Sequence, residues 1–311
     1  MKTHSKLYHC TFYKCGSQWV RDVLSDPSLF EFTNCPLVLN GVDVPSSGWP
    51  TLTAAGLASP IYTAGFENWQ SRSNPGSDVR CLVVSRDPRD VIVSLVLSLA
   101  FSHTPSEVTA LLRLPIRNAS RADRIRIGIH LFSHWAAQFR SWFGPKEDDD
   151  VLRIDYSELI ADEQASFRRM FSYFGWEIPE ELATQMVSTH SFLSTSGGRR
   201  PGEENEFSHR RKGVTGDWLN HFNQETGAIF EAVFPDLLLH TGYEDHSEWW
   251  RELPQHPIAV GSVSTEVRLA RLLEAFEAQQ RELDIQREAA AERLRDVQLL
   301  NELYGGVRHG G

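Results

Sequence analysis

Residues 7–22, LYHCTFYKCGSQWVRD, constrain the fold more than any other stretch of this chain. The aromatic and β-branched run over 7–13 predicts a buried strand. Lys14, Cys15, Gly16 and Ser17 then turn the chain, and Trp19, Val20, Val23 and Leu24 recur at helical spacing. A strand, a glycine turn and a helix in that order aim backbone N–H groups and a helix N-terminus at one point, which suits a phosphate-like anion. Lys14 adds a mobile point charge there. Taken alone, the four turn residues fit a structural Gly-Ser turn equally well. The lysine precedes the glycine, so this is not a Walker A loop, and a P-loop kinase is disfavoured.

The remaining chain must give that strand a sheet. Apolar runs at 60–64, 80–85 and 151–154 predict further strands, with a short one within 30–39. The run at 80–85, RCLVVS, is of the unbroken kind that parallel sheets bury on both faces. Helical patterns alternate with the strands. One covers 91–100 behind Asp87 and Pro88, one covers 121–142, and one covers 162–174 before Gly175. In the second, Ile125, Ile129, Phe132, Trp135, Ala136 and Phe139 share a face. Residues 40–59 and 195–208 read as loops, 103–118 as a weakly patterned connection. Strands alternating with helices predict an α/β fold around a mainly parallel sheet. Ligands of such sheets sit at the carboxyl ends of the strands, where Lys14, Arg86 and Tyr156 emerge.

The predicted division is a domain over 1–246, a linker over 247–263, a helix over 264–304 and a flexible tail over 305–311. Residues 264–304 hold neither Gly nor Pro and would make about 60 Å of helix. Leu269, Leu273, Phe276, Leu283, Ala290, Leu294, Val297 and Tyr304 follow four- and three-residue steps, a coiled-coil seam interrupted at Gln280, Arg287 and Asn301. That seam predicts a homodimer or a docked partner; a helix folded back on the domain is the alternative. A net charge of −10 argues against a broad nucleic-acid surface, so the run Arg210, Arg211, Lys212 is local and suits a small anion. Cys10, Cys15, Cys35 and Cys81 lack metal-ligand spacing and read as buried free thiols of a reducing compartment. With no apolar run long enough for a bilayer and no signal peptide, the expected location is cytoplasmic.

Five motifs in order resemble those of the PAPS-dependent sulfotransferases. LYHCTFYKCGSQW resembles their first donor-binding motif, TYPKSGTTW, and VSRDPRDVIVS resembles their second, RNPKDVAVS, with Arg86 and Ser94 eight positions apart. RKGVTGDWLNHF at 211–222 is similar to RKGxxGDWKNHF; VLRIDYSELI resembles the "RYEDL" strand-turn; His190, Ser191 and Phe192 stand where Thr-Ser-Phe is usual. The likeness covers residues 5–245 and implies an α/β, P-loop-like, mainly parallel sheet flanked by helices. It implies PAPS as donor and no metal. Lys14 with the turn residues Cys15, Gly16, Ser17 and Gln18 would hold the 5′-phosphosulfate. Arg86, Ser94, Arg211, Lys212 and Gly213 would hold the 3′-phosphate. Trp19 and Phe192 would sandwich the adenine, at roughly 1–3 kcal/mol per stacked base, with Tyr156 beside it. Each has a plainer reading: Arg86 as an ion-pair partner of Asp87 or Asp90, Ser94 as an inert helix serine, Trp19 and Tyr156 as core.

Two departures stand out. Cys15 and Gln18 replace a serine and a threonine in the first motif, where backbone amides do most of the holding. The Thr-His pair that carries the base in the cytosolic small-molecule branch is Thr63-Ala64 here, and no histidine lies between His9 and His103. Carbohydrate-directed branches use a glutamate, so Glu67 is the first candidate base, with Glu31 and His103 as alternatives. The reading is a sulfotransferase moving a sulfuryl group from PAPS to a hydroxyl of a carbohydrate or small molecule, with Lys14 stabilising the leaving oxygen. The alternative is a catalytically impaired nucleotide-binding scaffold acting through its C-terminal helix.

Overall fold

A computed structural model describes residues 5–44, 48–71, 78–104, 107–144 and 149–255. They belong to one compact unit, Met1–Ile258. The predicted helix at 264–304 and tail at 305–311 lie outside the described residues. Among the described residues six strands form one sheet: β1 (Lys6–Thr11), β2 (Leu37–Leu39), β3 (Val42–Asp43), β4 (Gly56–Tyr62), β5 (Val79–Ser85) and β6 (Val151–Asp155). Their order is β2-β4-β1-β5-β6, with β3 also on β4, and every pairing is parallel. The α/β parallel architecture is thus as expected.

β1 lies between β4 and β5, so the chain winds to one side of it, then crosses to the other. That reversal opens a crevice at the carboxyl ends of the central strands. Side chains alternate between two cores, as the period of two demands. Tyr8, Cys10, Cys81 and Val83 pack on one face against Val91, Ile92, Ile125, Ile129 and Phe132. Leu7, Leu82, Val84 and Ile154 pack on the other against Trp19, Val20, Phe167 and Phe171. On the first face the helices Pro88–Leu97 and Arg121–Ser133 cross at Gly128, where a Cβ would lie 2.6 Å from Ile92. All four cysteines are buried free thiols.

Several boundaries differ from the sequence reading for local reasons. Asp26-Pro27 starts a helix, Pro27–Thr33: the Asp26 carboxylate accepts the Ser28 N–H and Pro27 sits in the first turn. β2 is therefore short and late. β4 starts at Gly56 and runs through Pro60, at the place where its register on β1 slips between Tyr8 and Cys10. A residue without an N–H is tolerated at such an irregularity. The single helix expected over 121–142 breaks at His134 and Trp135 into Arg121–Ser133 and Ala136–Ser141, and the connection after His103 contains the helix Glu107–Asn118. Residues 247–255, expected as the start of a linker, bury Trp249 and Leu253 in the first core.

Arg89 ties the early half to this late segment. Its side chain is 2% exposed, pairs with Asp87 at 2.7 Å and with Glu244, and lies 3.6 Å over the Trp218 ring and 4.6 Å over that of Trp249. Removing one partner of a buried pair strands the other, at about 3–5 kcal/mol. Arg89→Ala is expected to cost that much in urea unfolding, and a loss below about 1 kcal/mol would refute the clamp.

Candidate active site

The turn after β1 is built from left-handed backbone. Lys14 has φ 69° and Gly16 φ 82°, so the chain reverses tightly into the helix Ser17–Leu24. Such a conformation is costly for lysine and marks functional turns. The Arg86 guanidinium holds it by donating to the Lys14 carbonyl at 3.1 Å. No side chain caps the helix at Gly16, which leaves its first amides turned to the cleft. Lys14 has no ion pair among the described residues; burial, then the charges of Arg86 and Arg211, lowers its pKa to about 8. Lys14, Gly16, Ser17, Gln18 and Trp19 all border one cleft. Cys15 does not: its side chain is wholly buried and its N–H donates to the Phe12 carbonyl, so it has nothing left to offer an anion.

The second wall comes from β5 and its helix. Arg86, 7% exposed, also donates to the Val214 carbonyl at 2.9 Å, sits 3.5 Å from Asp90 and stacks 4.4 Å over the Tyr156 ring. The ion pair with Asp90 is therefore real, yet Arg86 borders the cleft and its Nε is buried without a hydrogen-bond partner. Asp90 in turn accepts the N–H groups of Gly216 at 2.8 Å and Trp218 at 3.0 Å. That contact, across 126 residues of sequence, brings the third motif to the second. Ser94 and Tyr156 border the same cleft, Tyr156 placed by Asp155, which caps its helix.

Arg211, Lys212 and Gly213 close it from above, with Phe192. A Cβ on Gly213, φ 64°, would lie 2.7 Å from the Phe192 ring, so only glycine lets the two meet. Phe192 is held in place by the Ser191 cap and by His190, which is 2.7 Å from Asp26. Residues 195–208, read as a loop, are tied down by Arg199, which donates to the carbonyls of Ser196, Glu203, Arg210 and Arg211.

Neither carboxylate proposed as base reaches the cleft. Glu67 is exposed on the short helix Phe66–Gln70, and Glu31 is exposed on the helix Pro27–Thr33. His103 does border it, presented by a π-helical turn, Ser98–Ser102, that it terminates. Its pKa is lowered by burial and by the Lys14 and Arg113 charges, so it is neutral at pH 7. Arg210 of the basic run borders the cleft too, and His209, Tyr13 and Tyr62 border it and were missed as site residues. His209 is pulled down to about 4, mainly by Lys14. Tyr62, at the end of β4, stacks 4.8 Å from Tyr13, and its hydroxyl meets Ser17 and Gln18 at 3.1 Å each. Counting by two along β4 would not have found Tyr62, because the register slip puts Ala58 and Ile61 in the same core.

A lysine turn at a helix N-terminus, two arginine-bearing walls and flanking aromatic rings define a class of protein: an α/β binder of an anionic, ring-bearing ligand. The family is sharper. The sulfotransferase domain profile matches residues 71–242, more than half of the chain, and the chain belongs to that family. Among its relatives, mouse sulfotransferase 2B1 is 22% identical over 254 residues, covering 75% of this chain and 71% of that protein. Rabbit amine sulfotransferase is 26% identical over 256 residues, covering 73% and 78%. The fold is similar to that of mouse sulfotransferase SULT7A1 complexed with PAP, at a TM-score of 0.53 and 17% identity over 75% of this chain and 84% of that one.

Proposed function

We propose that this protein transfers a sulfuryl group from PAPS to a hydroxyl of a small-molecule acceptor. The observation that carries it is convergence: three motifs far apart in the chain put Lys14, Arg86, Arg211 and Lys212 around one cleft of an acidic protein. The residues present fit the donor. Arg86 Nε is an orphaned buried donor, Lys14 has no acidic counter-ion among the described residues, and the Gly16 helix end is uncapped. When bound, the donor supplies an activated sulfuryl group on its 5′-phosphate and a separate 3′-phosphate as a handle.

In this reading Lys14 and the amides of Ser17 and Gln18 hold the phosphosulfate end. Arg86, Ser94 and Arg211 hold the 3′-phosphate, and Trp19, Phe192 and Tyr156 flank the adenine. Lys14 stabilises negative charge as it gathers on the leaving oxygen. His103 replaces Glu67 as the proposed acceptor of the hydroxyl proton, since it alone of the three candidates borders the cleft. Cytoplasmic placement fits four free buried thiols; no helix among the described residues is long and apolar enough to cross a membrane. Pairing through 264–304 stays a proposal of the sequence pattern.

The test is calorimetric titration of adenosine 3′,5′-bisphosphate against adenosine 5′-monophosphate. Losing one charge-assisted arm costs about 1.5–3 kcal/mol, or roughly ten- to a hundredfold in affinity. The bisphosphate is expected to bind tighter by that factor, with Arg86→Ala narrowing the gap. Equal affinities in the wild type would end the assignment.

A further inference from the structure

Arg211, the proposed holder of the 3′-phosphate, already has two carboxylates. Its Nη2 donates to Asp217 at 2.6 Å and its Nη1 donates to Glu204; Lys212 Nζ lies 2.5 Å from Asp217 and 3.9 Å from Glu204. The two acids are not alike. Asp217 is buried to 1% side-chain exposure and also meets Asn220 at 3.1 Å and His221 at 3.5 Å. Burial works against its charge, but His221, Arg211 and Lys212 together hold its carboxyl far below the usual carboxylate range. It is a fixed part of the wall. Glu204 keeps 35% of its side chain exposed, and Arg211 and Lys212 are its only side-chain partners among the described residues.

Nor is Glu204 there by the chance sweep of a long side chain. Its segment is laid along the third motif by backbone bonds, Gly202 N–H to the Lys212 carbonyl at 2.8 Å and Asn205 N–H to the Arg211 carbonyl at 2.9 Å. Arg199 fastens both sides of the pair through the carbonyls of Glu203 and Arg211. Two backbone bonds and the Arg199 clamp thus deliver one carboxylate to the guanidinium that borders the cleft.

We propose that Glu204 is a displaceable stand-in for the 3′-phosphate, holding Arg211 and Lys212 in the nucleotide-free protein and giving way to the phosphate. It is a positioning residue that acts through Arg211, and it sets both the affinity for the bisphosphate product and its rate of release. The proposal rests on the reading that Arg211 serves the 3′-phosphate. A phosphate arriving on a guanidinium that keeps its carboxylate meets a like charge at close range. Asp217 is locked by buried partners, so Glu204 is the one to leave. A displaceable counter-ion weakens the final complex by the strength of the contact it gives up, which for a partly exposed pair is modest.

The experiment is titration of Glu204→Gln with the same two nucleotides, together with stopped-flow release of the bisphosphate. Bisphosphate affinity is expected to rise roughly two- to fivefold, the scale of a partly exposed ion pair, with slower release. Adenosine 5′-monophosphate, lacking the 3′-phosphate, should bind within about twofold of wild type. Glu203→Gln, whose carboxylate caps the Arg200 N–H instead, should change neither. Glu204→Asp, which shortens the reach to Arg211, should move in the same direction as Glu204→Gln and covers a failure of either to fold. Unchanged or weaker bisphosphate binding, or a parallel shift of both nucleotides, overturns the role of Glu204 while leaving the donor assignment standing. Equal binding of the two nucleotides by wild type instead overturns the donor assignment itself.

Discussion

Lys14→Ala is expected to reduce turnover by at least roughly a hundredfold, the scale on which loss of one charge-stabilising donor acts. Nucleotide binding should be reduced far less. The difference follows from where charge appears: the leaving oxygen gains it as the bond to sulfur breaks, so a cation beside it is worth more in the transition state than in the bound substrate. The structure prepares Lys14 for this. Its backbone is held at φ 69° by the Arg86 contact, and no carboxylate among the described residues draws its ammonium away. Burial and the charges of Arg86 and Arg211 hold its pKa near 8, below the ordinary 10.5. A lowered lysine pKa keeps the cation below that value and loses it above. In the wild type kcat/KM, which reports the free enzyme, should therefore fall as pH rises through about 8, and the variant should lack that limb. A variant with near-normal single-turnover rate would remove Lys14 from the chemistry.

The Lys14 and Arg86 walls of the cleft were legible because their parts are local. A strand, a glycine turn and a helix start within residues 7–22 carry their own geometry, and so does the capped helix behind Arg86. Even the meeting of Arg86 with Arg211 was readable, since an acidic chain has little reason to bunch three cations beside a glycine unless they share an anion. The group that joins them was not readable: Asp90 looks like an ordinary first-turn acid, and only the fold shows it taking the Gly216 and Trp218 amides. Glu204 was hidden for the same reason. It lies in a polar, unpatterned segment whose order comes from Arg199 and from backbone pairing, neither of which has a periodicity.

Glu67 was misplaced relative to the cleft through geometry rather than chemistry. Glu67 comes a few residues after a strand end, which in a linear reading puts it beside the donor. The chain instead turns at Gly65 into a short helix on which Glu67 faces solvent. The residue that does reach the cleft depends on a π-turn, in which one extra residue per hydrogen bond rotates the chain beyond it, and no apolar pattern signals such a turn.

His103→Gln is expected to lose about 10²–10⁴-fold in turnover, the contribution of a positioned proton acceptor, while Glu67→Gln stays within about twofold of wild type. Three facts favour His103. It borders the cleft that Lys14 borders; its Nδ1 is sealed from solvent without a hydrogen-bond partner, which leaves Nε2 as the nitrogen an acceptor hydroxyl can meet. Its pKa is lowered, first by burial and then by Lys14 and Arg113, so at pH 7 the ring is neutral and free to take a proton. The sign gives a second readout: a lowered histidine pKa puts the acid limb of the pH–rate profile below the ordinary 6.5, and that limb should vanish in the variant. His209→Gln is the needed companion, because His209 borders the same cleft and answers to the same Lys14 charge. If His103→Gln stays active and His209→Gln is dead, the proton leaves toward the third-motif loop and not toward the π-turn. If Glu67→Gln alone is dead, the short helix after Gly65 must move on substrate binding, and the proton acceptor is the carboxylate.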